Sequence, residues 1–390
     1  MFSKRTEWNL ATNRLSRAVE ERRREGGRLL DLTESNPTRA SITYDAVSIL
    51  SALVDPRALE YTPDPLGLLT AREAVCRYYA GIGVNVDAKR VLLTTSTSEA
   101  YTYLFRLLCD PGDEVLVPTP SYPLFEFLAG LQDVRLVPYP LIYDHGWQID
   151  IGAMERAITP RTRAVMVVHP NNPTGSMISE NERTQLNRIC AGHSLATVAD
   201  EVFLDYVLDG SRAASFAGND EVLSFALSGL SKIAGLPQMK VAWIVTAGPE
   251  QQREAALSRL EVIADTYLSM NAPLQHALPA LLEQREKIGG QILARVHHNM
   301  EELDAQLARQ KLCHRLDIQA GWYAILRVPA HGSDEDLCLA LLNERGVLVQ
   351  PGYFYDFHKD GFLVLSLITP RDVFREGLSR LLEFISERET

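Results

Sequence analysis

The stretch FALSGLSKIAGLPQMKVAWIV, Phe225 to Val245, is apolar for almost its whole length, yet it carries two lysines eight positions apart, Lys232 and Lys240. SFALSGL reads as a buried strand that ends in small residues, Ser228 and Gly229, with Lys232 just beyond it. Burying an ammonium is costly unless it is paired or chemically used. Taken singly, Lys232 reads as an exposed loop lysine. What the two lysines do depends on the elements around them.

Working outward, the same unit recurs between about residues 68 and 248. RVLLTT, DEVLVP, VRLVPY, RAVMVVHP and LATVADEVF read as short apolar or β-branched strands. LLTAREAVCRYYAGIG, EAYTYLFRLLC and NERTQLNRICAG read as helices between them. Buried runs alternating with helices predict an α/β fold, with a mainly parallel sheet covered on both faces. After about residue 285 the pattern changes. GQILARVHHNMEELDAQLARQ predicts one long amphipathic helix, followed by strand WYAILRV, helix DEDLCLALLNERG, strands VLVQPG and FLVLSLIT, and a final helix. That is a smaller α+β part. The expected division is a large domain over 46–285 and a small domain from 1–45 and 286–390, with an N-terminal helix over roughly 6–24.

The 390 residues are too many for one simple core. A net charge of −11 argues against an open nucleic-acid surface. The five cysteines are scattered without a C-x-x-C pair, which fits buried thiols in a reducing cytoplasm and neither a disulfide framework nor a metal site. MFSKRTEWNL has no apolar signal core, and no apolar run reaches membrane length.

Parallel sheets place ligand sites at the carboxyl ends of their strands. After RVLLTT come Ser96, Thr97, Ser98 and Glu99, a helix start whose N–H groups and hydroxyls suit a phosphate as well as an ordinary cap. After VMVVHP comes the turn Asn171-Asn172-Pro173-Thr174-Gly175. After LATVA comes Asp200, a carboxylate at a strand end that needs a cationic partner or a capping role.

In this order, the Ser/Thr helix start, HPNNPTG, ADEVF and SGLSK resemble the class I/II aminotransferases, pyridoxal-phosphate enzymes of fold type I. YTPDPLG near 61, PTPSYPLF near 118 and GVLVQPG near 346 extend the resemblance over nearly the whole chain. The resemblance implies a large domain with a seven-stranded, mainly parallel sheet, and pyridoxal 5′-phosphate as cofactor. Lys232 would form a Schiff base with the cofactor aldehyde and later move the substrate α-proton. Asp200 would hold the pyridine nitrogen protonated. Asn172 would bond the ring oxygen, and Tyr122 would stack on the ring. Ser96, Thr97, Ser98 and Lys240 would hold the phosphate. Tyr61 would reach the phosphate of a neighbouring subunit in a homodimer. Amino-acid and keto-acid substrates follow, with neither nucleic acid nor membrane as a partner.

Three positions depart from that pattern. Lys240 stands where an arginine is usual, keeping the charge but losing the bidentate fork. Phe203 stands where a tyrosine would contact the ring oxygen, which implies an altered imine pKa. Val364, in GFLVLS, stands where an arginine would grip the substrate carboxylate. A charge-assisted bond of that kind contributes roughly 1.5–3 kcal/mol. Arg39 and Arg371 are candidate replacements, or the substrate lacks a carboxylate there. The missing arginine keeps open a β-eliminating lyase or a decarboxylase on the same scaffold. An effector-binding domain of a regulator is disfavoured, because only sixty residues precede the Tyr61 motif and the charge is acidic. No G-x-G-x-x-G follows a strand, which excludes a nicotinamide dehydrogenase.

Overall fold

The computed structural model describes residues 1–389. The repeated buried runs form one eight-stranded sheet. In chain order its strands are β1 (Val91–Thr94), β2 (Glu114–Thr119), β3 (Arg135–Tyr143), β4 (Trp147–Ile149), β5 (Thr162–Val168), β6 (Ala196–Asp200), β7 (Ser224–Gly229) and β8 (Ala242–Ala247). Their spatial order is β1-β8-β7-β6-β5-β2-β3-β4. The five strands from β7 to β3 run parallel, while β8 is antiparallel to both of its neighbours. The three-residue β4 folds back on the edge strand β3 through a turn at Asp144–Gly146, adding an eighth strand to the seven expected.

Side chains alternate between the two faces of each strand, and both faces are apolar. Val115 and Val117 of β2, with Ala164, Met166 and Val168 of β5, join one core with Leu104, Phe125 and Leu260 of helices Thr97–Leu108, Leu124–Gly130 and Glu250–Tyr267. Leu116, Val165 and Val167 face the other way. They meet Val75, Leu186, Leu278 and Ile292 of helices Leu69–Gly81, Glu180–His193, Ala272–Glu283 and Arg285–Leu307.

A second sheet has four antiparallel strands, β9 (His314–Arg315), β10 (Tyr323–Arg327), β11 (Gln350–Pro351) and β12 (Phe362–Ser366), in the order β9-β10-β12-β11. Val364 lies opposite Ile325 on one side and Gln350 on the other. The run VLVQPG, expected as one strand, divides in two. Val347 and Leu348 pair in parallel with Leu30 and Asp31, and only Gln350–Pro351 joins β12. The N-terminal segment thus satisfies backbone groups that a single strand would leave open.

The N-terminal helix runs from Arg14 to Arg24, later than the expected start near residue 6. Asn13 sets the start, because its side chain accepts the Ser16 N–H. The helix lies against helix Asp334–Arg345, with Arg14 3.1 Å from Glu335. No helix among the described residues is long and apolar enough to cross a membrane.

Candidate active site

The parallel strands bring the motifs together. Asp200 at the end of β6 lies in register beside Val168 of β5 and Leu227 of β7. The loops after β5 and β7 therefore flank it. β1, antiparallel to β8, runs in the same sense as β7 and delivers Ser96 to the same end of the sheet.

A cavity of about 380 Å³ opens there, within the usual range for small-molecule sites. Its walls include Ser96, Thr97, Ser98, Tyr122, Asn172, Asp200, Lys232 and Lys240. Tyr61 is the one predicted site residue outside it. Tyr61 is 83% exposed and borders a second depression near Leu268 and Met270.

Asp200 is buried. One carboxylate oxygen accepts the Tyr101 hydroxyl at 2.8 Å, and the other accepts the Val202 N–H at 3.2 Å. Burial raises its pKa, against the pull of those two bonds and of Lys232. The carboxylate therefore sits at the cavity floor without a full counter-charge from the chain.

The Lys232 amine has no hydrogen-bond partner among the described residues. It lies 4.8 Å from the Trp322 ring centroid and 5.6 Å from that of Phe203. Desolvation lowers its pKa to about 8, opposed by the Asp200 charge. At pH 7 roughly one amine in ten is neutral, against fewer than one in a thousand for an ordinary lysine. Limited acetylation of the cofactor-free protein, followed by peptide mapping, is expected to reach half its maximal rate at Lys232 near pH 8. A free model-peptide amine, run as the reference, titrates about two units higher. A Lys232 profile that tracks the reference contradicts this.

The loop after β5 is held by its own bonds. Asn171 accepts both the Thr174 N–H and its hydroxyl. Gly175 has φ +67, and a side chain there would fall 2.4 Å from the Ala320 carbonyl. Burial holds His169 neutral, with a pKa near 4, and its Nδ1 accepts the Ile178 N–H. These contacts leave the Asn172 amide free. It lines the cavity, its oxygen is buried, and no described residue bonds it.

At the helix start Ser96 is a true cap and accepts the Glu99 N–H at 3.2 Å. The Glu99 side chain reaches back to Thr95 and takes its N–H and hydroxyl. The N–H groups of the first turn remain directed at the cavity end. Lys240, in the left-handed conformation, adds a cation there.

The family model for aminotransferase class I and II matches residues 28–381. The chain belongs to the class I and II aminotransferases. The alanine aminotransferase of Mycobacterium tuberculosis is 32% identical over 275 residues, 69% of this chain and 63% of that protein. The match thus spans a little under two thirds of that relative. The glutamate-pyruvate aminotransferase AlaA of Haemophilus influenzae is 27% identical over 386 residues, covering 93% and 92% of the two chains. The solved alanine aminotransferase from Pyrococcus furiosus superimposes over 100% of both chains with a TM-score of 0.90 at 23% identity, a likeness of fold.

The cofactor of this family is pyridoxal 5′-phosphate. The cavity fits it by what the chain leaves unpaired: a partnerless amine, a partnerless buried amide, a buried carboxylate short of counter-charge, and a helix start beside a lysine. The small residues before Lys232 serve packing as well. A side chain on Gly229 would lie 2.8 Å from both the Ala242 Cβ and the Val241 carbonyl, so the chain needs the glycine to bring β7 against β8. Gly229→Ala is expected to cost about 1–3 kcal/mol, read as a lower denaturant midpoint. An unchanged midpoint would show that the strands can part without loss.

Three departures from the family pattern are visible in space. Phe203 is buried edge-on against Trp322, with ring centroids 5.1 Å apart, and presents no hydroxyl. Val364 is 1% exposed and lies in the core, across the ladder from Gln350. Arg39 and Arg371 are both exposed and neither lines the cavity, so the expected replacements for the missing arginine are not brought to it.

Sequence reading missed Tyr101, Ser35, Tyr323, Gln350 and Tyr355, which also line the cavity. Tyr101 was within reach, since it lies four residues after Thr97 on the same helix face. The others come from distant segments whose register no local pattern reveals.

Proposed function

We propose that the chain is an aminotransferase that moves an amino group between an amino acid or related amine and a keto acid. The observation that carries this reading is the pairing, in one cavity, of a desolvated, partnerless Lys232 amine with the buried Asp200 carboxylate. When bound, pyridoxal 5′-phosphate supplies an aldehyde for amines and a ring that takes up electrons as the α-proton leaves. Lys232 holds the aldehyde at rest. Its free amine would carry the α-proton, which a pKa near 8 suits. Asp200 keeps the ring nitrogen protonated. Asn172 would donate to the ring oxygen, and Tyr122 would pack against the ring. Ser96, Thr97 and Ser98 give the phosphate hydroxyl and N–H donors at the helix start, and Lys240 gives it a charge.

This reading extends to assembly. The division at residues 46–285 gives the eight-stranded sheet to a cofactor domain and the four-stranded sheet to a small domain. Tyr61, exposed outside its own chain's cavity, suits a role in a partner's site within a cytoplasmic homodimer. Sedimentation of the full chain at twice its monomer mass is the expected result, and a monomer removes that role.

The deciding experiment is borohydride reduction of protein loaded with cofactor, then peptide mapping. The label should fall on Lys232. Product analysis separates the chemistries, because exchange with a keto acid means transfer. Release of pyruvate and ammonia from a thiol-bearing amino acid means the lyase that the missing arginine keeps open. Colourless protein or a label elsewhere refutes the assignment.

A further inference from the structure

The cations that line the cavity are Lys232 and Lys240, and the cofactor reading uses both. The wall formed by the small sheet and the N-terminal segment is neutral. Tyr323 and Gln350 come from β10 and β11, Tyr355 follows β11, and Ser35 completes it. Aromatic packing connects this wall to Lys232. Phe203, whose ring lies 5.6 Å from the Lys232 amine, packs on Tyr323 at 6.2 Å, and Tyr323 packs on Tyr355 at 6.3 Å. Gln350 stands directly across the ladder from Val364, so their side chains share a face. Its amide oxygen accepts the Tyr355 hydroxyl, and its NH₂ has no partner among the described residues. Burial raises the pKa of both tyrosines, so they remain neutral. The formal charge felt at Tyr323 is the negative one of Glu34.

We propose that this wall, with the Gln350 amide as its free donor, selects substrates whose amine-bearing carbon carries an uncharged hydrogen-bonding group, a carboxamide or hydroxymethyl, over a free carboxylate. A carboxylate here would leave water and meet no cation, whereas an amide or hydroxyl can both donate and accept. The acceptor occupies the same place and faces the same ranking. This inference rests on the aminotransferase reading and narrows its substrate class.

The test uses the full-length protein loaded with cofactor, first confirmed by its visible band and by the Lys232 label. Absence of either sinks the underlying reading before substrate choice is reached. Loss of the band is then followed with L-alaninamide, L-alaninol and L-alanine. The amide and the alcohol should react with second-order constants at least about tenfold above that of alanine. Binding gives an independent readout. Isobutyramide, which has no amine, should perturb the band at concentrations about tenfold below those isobutyrate requires. Gln350→Leu should erase both preferences. Gln350→Arg, at a partly buried position, should reverse them where the buried Val364→Arg risks misfolding. Alanine equal to or better than alaninamide overturns the proposal. A preference that survives Gln350→Leu removes Gln350 from it.

Discussion

Lys232→Ala is expected to lower the rate of amino transfer by about 10⁴-fold or more, because the proposed function makes one side chain both the covalent anchor and the proton carrier. The reason is visible in what the amine lacks. It has no hydrogen bond to lose, and the Trp322 and Phe203 ring centroids lie 4.8 and 5.6 Å from it. A lysine kept in such a place serves chemistry more readily than stability. The variant should therefore fold with an unchanged or slightly raised denaturant midpoint, since a desolvated amine has been removed. It should lose the visible band and the borohydride label. It should still hold cofactor without a covalent bond, through Lys240, Asn172 and the helix start. Lys240→Ala serves as the contrast. That variant should keep the label at Lys232 and release cofactor more easily, by about tenfold in dissociation constant. A Lys232→Ala protein within tenfold of the parent, or a Lys240→Ala protein without label, would reassign the two lysines of the opening stretch.

The short continuous apolar runs made the large sheet legible, because burial on both faces leaves little choice of residue. Asp200, Asn172 and Lys232 were legible for a related reason. Each follows a strand, and parallel strands deliver their carboxyl ends to one place whatever the intervening helices contain. The small sheet was harder. VLVQPG reads as one strand, but the Leu30–Asp31 segment claims its first half, and nothing local announces a partner more than three hundred residues away. The neutral wall was illegible for the same reason. Gln350 faces Val364 through a register that only the folded chain sets. What the sequence did show was the loss at Val364, a positive statement about charge that the structure then located.

Asp200→Asn separates charge from shape. The amide is nearly isosteric and can keep the contact with Tyr101, but it cannot hold the ring nitrogen protonated. The expected loss in kcat is roughly 10²–10⁴-fold, the scale of removing a preorganised charge at a reacting centre. A second readout is independent of turnover. Asp200 raises the pKa of Lys232, so removing the charge should move the acetylation midpoint of Lys232 below pH 8. Tyr101→Phe probes the same carboxylate from the other side. It keeps the charge and removes a bond that lowers the Asp200 pKa, so that pKa should rise further. A raised carboxyl pKa means the ionised form is lost at higher pH. Tyr101→Phe should thus lose less rate than Asp200→Asn at alkaline pH and fall away more steeply than the parent on the acid side. Equal losses at every pH would mean that Tyr101 acts by packing alone. An Asp200→Asn enzyme within about threefold of the parent in kcat would mean that the ring is held by something other than this carboxylate.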